Sequence, residues 1–143
     1  MKKYLKYLLI IIPLIGGIIV STLLNFDLYK EINLPPLAPP RILFPIVWTI
    51  LYLLLGIVFY RIRYSDTNRN LFIVQLIINY VWCFFFFTFK SYLLSFIIIF
   101  LLDLLVFYLI LSIDDKISKY VLIGYFIWLV FASYLNFSIY LLN

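Results

Sequence analysis

The sequence predicts an all-α integral membrane protein, a single domain over residues 1–143 built as a bundle of five transmembrane helices. Three observations predict it. Hydrophobic residues make up 67% of the chain, where a soluble domain holds about 45–50%. Charged residues make up only 12%, too few to solvate a globular surface. The apolar residues also fall into five runs, each near the ~20 residues that a helix needs to cross a ~30 Å hydrocarbon core.

The spans expected are 7–26, 43–60, 71–89, 92–112 and 120–142, with a proline loop at 27–42. The first follows the basic start Lys2, Lys3, Lys6. A signal peptide begins in the same way, but this apolar run is too long and has no small-residue cleavage site. Pro13 is placed to kink it, and Gly16-Gly17 either lets another helix approach closely or is glycine that a membrane helix simply tolerates. Residues 71–112 are almost unbroken apolar sequence. The interruption Thr88-Phe89-Lys90-Ser91 makes two spans of them, joined as a tight antiparallel hairpin.

The proline loop organises the rest. Five of the six prolines lie between Pro35 and Pro45. Proline fixes φ and pushes the residue before it out of the α region, so Leu34 to Pro40 is expected to be stiff and polyproline-like. Pro45 fits the first turn of the next helix, where its missing N–H is not needed. Trp48 and Tyr52 then follow one turn apart on one face.

Charge and residue type exclude several classes. The net charge is +5, but the basic residues flank apolar runs, so they speak for membrane orientation and not for nucleic acid. With the N-terminus inside, Lys2, Lys3, Lys6, Arg61, Arg63, Arg69, Lys116 and Lys119 lie inside, leaving Lys30, Arg41 and Lys90 outside. The positive-inside rule therefore places the N-terminus in the cytoplasm and the proline loop and C-terminus outside. The absence of His excludes imidazole chemistry, and a single cysteine, Cys83, excludes an internal disulfide. No Ser/His/Asp, Cys/His or carboxylate-pair constellation is visible, and no phosphate loop. Hence no catalytic and no metal-ligating residue is assigned. Cys83, next to Trp82 and Phe84, reads as a small buried hydrophobe. An axial haem ligand is not expected.

Pro35-Pro36-Leu37-Ala38-Pro39-Pro40, followed by Phe44-Pro45-Ile46-Val47-Trp48-Thr49-Ile50-Leu51-Tyr52, resembles the signature of the tryptophan-rich sensory protein or translocator protein (TspO/MBR) family. Gln75-Leu76-Ile77-Ile78-Asn79-Tyr80-Val81-Trp82 resembles its Q-L-x-x-N-x-x-W, followed by the Phe86-Phe87 pair. Gly124-Tyr125-Phe126-Ile127-Trp128-Leu129-Val130-Phe131-Ala132-Ser133-Tyr134-Leu135-Asn136 is similar to its P-Y-x-x-W-x-x-F-A-x-x-L-N. The resemblance covers roughly residues 15–143. It implies binding, sensing or transport of a flat hydrophobic ligand, most simply a tetrapyrrole such as a porphyrin, with no cofactor required. The site it implies comprises Phe44, Pro45, Val47, Trp48, Tyr52, Asn79, Trp82, Phe86, Trp128, Phe131, Ala132 and Leu135. Trp48, Trp82 and Trp128 would sandwich the ligand, with the Asn79 amide and indole N–H groups orienting it. Gln75 is read as glue between helices. The small Ala132 would leave room for a planar ring, so Ala132→Leu is expected to lower porphyrin affinity about tenfold. The partners the resemblance implies are the tetrapyrrole or another planar hydrophobic ligand, the lipid bilayer and, for a receptor of this family, optionally a second copy in a homodimer, with no nucleic acid; the membrane is expected to be a bacterial cell membrane.

The chain departs from the family pattern in four places. Gly124 stands where the family has proline, and Leu34 and Leu37 stand where many members carry a loop tryptophan. By its spacing from Phe87, a fourth-helix acid found in many members would fall near Ile98, so Asp103 is not its equivalent. No Lys or Arg follows Tyr140 to complete a cholesterol-type motif. Light- or oxygen-dependent porphyrin breakdown has been proposed for the family, but no motif for it is visible here. From hydropathy alone, the alternative is a small multi-span transporter or assembly protein. Its aromatic faces would then serve helix packing, without a small-molecule ligand.

Overall fold

The computed structural model describes residues 2–24 and 28–143. The helices are α1 (Lys2–Thr22), a single turn α2 (Leu28–Glu31), α3 (Leu43–Arg61), α4 (Asp66–Cys83), α5 (Tyr92–Ser112) and α6 (Lys116–Leu142), and there is no strand among the described residues. All but α2 are long and apolar enough to cross a membrane. The chain is thus an all-helical membrane protein with five spanning helices.

The ends of the spans differ from expectation for local reasons. The first helix begins at Lys2 and ends at Thr22; residues 25 and 26 of the expected span, and residue 27 of the loop, lie outside the described residues. The helix runs unbroken through Pro13. Helix α4 starts at Asp66, five residues before its apolar run, because Ser65 caps it by accepting a hydrogen bond from the Asn68 N–H. Asp66 then sits in the first turn, where a negative charge suits the helix dipole, and pairs with Arg69 at 3.1 Å. Likewise α6 starts at Lys116, because the Asp115 carboxylate accepts from the Ser118 N–H at 3.0 Å and hydroxyl at 2.7 Å. Both extensions are polar turns of helix standing in water, which a hydropathy reading assigns to loops.

Arg61, at the end of α3, grips the same Asp115 through two nitrogens, at 2.6 and 2.8 Å. The Arg61 guanidinium, with Ser118 behind it, holds the Asp115 carboxyl well below the usual carboxylate range. At the other end of the bundle α4 closes in a π-helical turn, Phe84–Thr88, where the Phe89 N–H reaches back to the Phe84 carbonyl at 3.0 Å. The wider turn ends at Lys90, whose φ of 54° reverses the chain into α5.

The proline loop is less uniform than its composition implies. Residues 28–31 are helical. Within the stretch expected to be extended from Leu34 to Pro40, Pro35 to Ala38 form a turn, with the Ala38 N–H donating to the Pro35 carbonyl at 3.1 Å. Proline suits the early positions of such turns as well as it suits an extended chain, so composition alone does not separate the two. The loop is tied down at both sides. Glu31 pairs with Lys90 at 2.9 Å. Asn33 exchanges backbone hydrogen bonds with the Asn143 side chain, at 3.0 and 3.1 Å.

The five spans form a closed ring in which neighbours are α1–α3, α3–α6, α6–α5, α5–α4 and α4–α1. Leu55, Phe72, Ile99, Leu102, Leu109, Leu122, Tyr125 and Leu129 fill its interior. The large apolar residues left on the outside, among them Ile18, Ile77, Leu101 and Ile127, suit acyl chains and not water. Helix α1 has little of its own to bury and is held by close approach instead. A Cβ built on Gly56 would fall within the Ile10 carbonyl, so α3 meets the backbone of α1 there. A Cβ on Gly17 would stand 2.5 Å from the Tyr52 ring, and Tyr80 donates to the Pro13 carbonyl at 2.6 Å. The expected close approach at the Gly16-Gly17 pair is thus present, made by tyrosine side chains.

Candidate functional site

A cavity of about 560 Å³ lies beneath the proline loop, between α1, α3 and the end of α4. Phe44, Pro45, Trp48 and Tyr52 form one wall on α3; Leu14, Gly17 and Ser21 form the opposite wall on α1; Cys83 and Phe87 close the back. Arg41, from the loop, stands on the rim. The glycine at position 17 makes this space possible, since a side chain there would meet the Tyr52 ring.

Trp48 joins the cavity to the interior. Its ring packs on Tyr52 at 5.4 Å, on Trp82 at 6.3 Å and edge-on to Trp128 at 6.4 Å. The three tryptophans therefore converge, as expected, but Trp48 borders the cavity while the other two stand behind it. Trp82 is buried, its N–H donates to Asn136 at 2.9 Å, and Phe86 stacks on it at 5.5 Å. Trp128 contacts Phe44 and Phe131. Its N–H is buried without a hydrogen-bond partner among the described residues.

Of the twelve residues expected in the site, Phe44, Pro45, Trp48 and Tyr52 line this cavity, and the other eight do not. Val47 is half-buried against the core. Ala132 and Leu135 are each only 5% exposed, within the interior, so the space expected above Ala132 is taken up by protein.

The largest correction concerns Asn79. It is fully buried, and its amide is engaged between helices: Tyr52 donates to its oxygen at 2.7 Å, and its nitrogen donates to the Tyr125 hydroxyl at 2.8 Å. Tyr125 in turn donates to Gln75 at 2.9 Å. An amide in an apolar interior must find partners or bear the desolvation cost. Here Asn79 does what was expected of Gln75: the two join α3, α4 and α6. Only the Gln75 side-chain nitrogen is left over. The network also fixes the Tyr52 ring at the base of the cavity.

The proline loop, the aromatic start of α3, the amide pair of α4 and the Trp-Ala-Leu stripe of α6 are thus all in place around one aromatic cluster, and the TspO/MBR family profile matches residues 9–142. The chain belongs to the TspO/MBR family. It is similar to the tryptophan-rich protein TspO of Archaeoglobus fulgidus, with 36% identity over 121 residues, 80% of this chain and 79% of that one. The TspO of Chlorobaculum tepidum is 34% identical over 124 residues, 80% of this chain and 78% of that one. Protein CrtK of Rhodobacter capsulatus is 31% identical over 125 residues, with the same coverage.

For this TspO/MBR member, sequence reasoning missed the α1 wall, Arg41 and Cys83 as cavity residues. Gly16-Gly17 was the available signal for α1, since a close approach at Gly17 also sets a cavity wall. Arg41 had a signal too: it is the basic residue directly before the aromatic start of α3.

Proposed function

We propose that this TspO/MBR member binds a flat hydrophobic ligand that carries carboxylates, a tetrapyrrole such as protoporphyrin, in the cavity between α1 and α3, for sensing or transport. The observation that carries the reading is a cavity of about 560 Å³ with an aromatic wall on α3 and one arginine in its lining. That size lies within the ~300–1,000 Å³ of small-molecule sites. The ring system buries against Trp48, Phe44 and Phe87, where stacking adds to area burial. Arg41 pairs with a carboxylate at the rim. The binding needs no metal, so haem binds no more tightly than metal-free porphyrin. Binding and not catalysis is the activity proposed.

Protoporphyrin titrated into the protein in lipid nanodiscs is expected to quench the tryptophans to saturation. Arg41→Gln is expected to weaken binding about fivefold, roughly 1 kcal/mol for an accessible ion pair. Quenching that never saturates would favour the other reading, in which the aromatic faces only pack helices. The Asn79 amide bonded between helices and the bonded Trp82 N–H are the observations on its side.

The basic residues support an N-terminus in the cytoplasm and a cavity that opens toward the outer side. Reporter fusions after residue 66 and at residue 143 are then expected on opposite sides of the membrane; both on one side would contradict this topology.

A further inference from the structure

A second recess, of about 400 Å³, lies on the bilayer-facing side between α5 and α6. It is independent of the cavity beneath the proline loop. Two stripes build it. Phe96, Phe100, Asp103 and Phe107 follow one another on α5 at i, i+4, i+7 and i+11; Phe126, Val130, Ser133 and Phe137 repeat those intervals on α6. Because the helices run antiparallel, Phe96 meets Phe137 at 4.9 Å and Phe107 meets Phe126 at 5.8 Å. Asp103 and Ser133 lie between these two aromatic pairs.

Asp103 is only 8% exposed, and one carboxylate oxygen accepts the Ser133 hydroxyl at 2.6 Å. The other, Oδ1, is buried at the recess without a hydrogen-bond partner among the described residues. No Lys or Arg occurs on α5, and those of α6 stop at Lys119, more than three turns from Ser133. The site therefore offers one acidic group with no cationic partner among the described residues, lying between two aromatic pairs, on a surface that acyl chains wet. A carboxylate at membrane depth is costly unless a cation meets it, and aromatic rings attract alkylammonium groups. A neutral lipid or a sterol would need neither the acid nor its free oxygen.

We propose that the α5–α6 recess binds a lipid-soluble amine in its ammonium form, its N–H donated to Asp103 Oδ1 and its apolar body laid along the phenylalanine stripes. The site is open to the bilayer, so such a ligand arrives by partitioning into lipid first. Ser133 is a positioning residue: it holds Oδ2 and leaves the unpartnered Oδ1 as the acceptor for the amine.

The test uses the full chain in nanodiscs, with dimethyldodecylamine as probe and dodecanol as the neutral control of the same chain length. The amine is expected to raise the thermal unfolding midpoint saturably, and dodecanol is not. Asp103→Asn keeps the size and the Ser133 contact but removes the charge, and is expected to weaken amine binding at least tenfold. Val130→Phe, which fills the recess from an exposed position and leaves the acid intact, is expected to do the same. An equal shift with dodecanol, full binding by either variant, or no response of the wild type would overturn the proposal. The last includes the case in which a second copy of the chain, seen as a dimer in the nanodisc, covers the recess.

Discussion

Gly56→Ala is expected to be among the most damaging single-methyl changes in the protein, destabilising it by about 2–3 kcal/mol. The new Cβ would fall within the Ile10 carbonyl, and a backbone cannot move aside as a side-chain tip can. Helices α1 and α3 would have to part along their length. Because α1 contributes few other buried groups, this contact and the Tyr52 and Tyr80 contacts hold it. Porphyrin affinity should fall with stability, since α1 is one wall of the cavity. Gly124→Ala is the control: nothing lies within 4 Å of a Cβ there, and it sits within α6. It should be neutral or stabilise slightly, by ~0.5–1 kcal/mol, as Gly→Ala in a helix does. Reversible unfolding in mixed micelles checks both, and equal stability of the two variants would contradict the packing described.

Ser21→Phe should abolish most porphyrin binding while leaving the fold intact. Ser21 lines the cavity from α1 and is exposed; among the described residues its hydroxyl bonds only to Ile18 of its own helix, at 2.7 Å. A phenyl ring there takes ligand space and breaks no contact between helices, so a tenfold or larger loss of affinity, at least ~1.4 kcal/mol, is expected without loss of stability. Ala132→Leu should behave in the opposite way. At 5% exposure in the interior it has no room for three more carbons, and overpacking costs ~1–3 kcal/mol. Thermal stability and affinity measured on both variants distinguish the two. If Ala132→Leu loses affinity with full stability while Ser21→Phe binds normally, the ligand sits against Ala132 of α6, as the family resemblance implied, and not against α1.

What could be read in advance divides along physical lines. The number of spans follows from hydropathy, because the bilayer sets helix length. Helix starts do not, since the Ser65 and Asp115 caps extend α4 and α6 through polar residues that water tolerates equally well in a loop. For the site, spacing tells which residues share a face, and so Trp48 and Tyr52 are correctly paired. It does not tell what that face meets. Asn79 and Trp82 share a face as expected, yet they bond to Tyr52, Tyr125 and Asn136. Those partners lie on other helices and have no trace in local sequence. The α1 wall was harder still, because leucine and serine in a membrane helix carry no chemical signal of a cavity and the Gly16-Gly17 pair signals only a close approach.

The most direct measurement of the central claim is to map where the ligand sits. A protoporphyrin with a diazirine on one propionate, leaving the other free for Arg41, would be photolysed in nanodiscs and the labelled peptides sequenced. The cavity between α1 and α3 predicts attachment within residues 14–24 and 41–52, suppressed by unlabelled protoporphyrin and lost in Ser21→Phe. Competable attachment confined to residues 125–136 of α6 would contradict it.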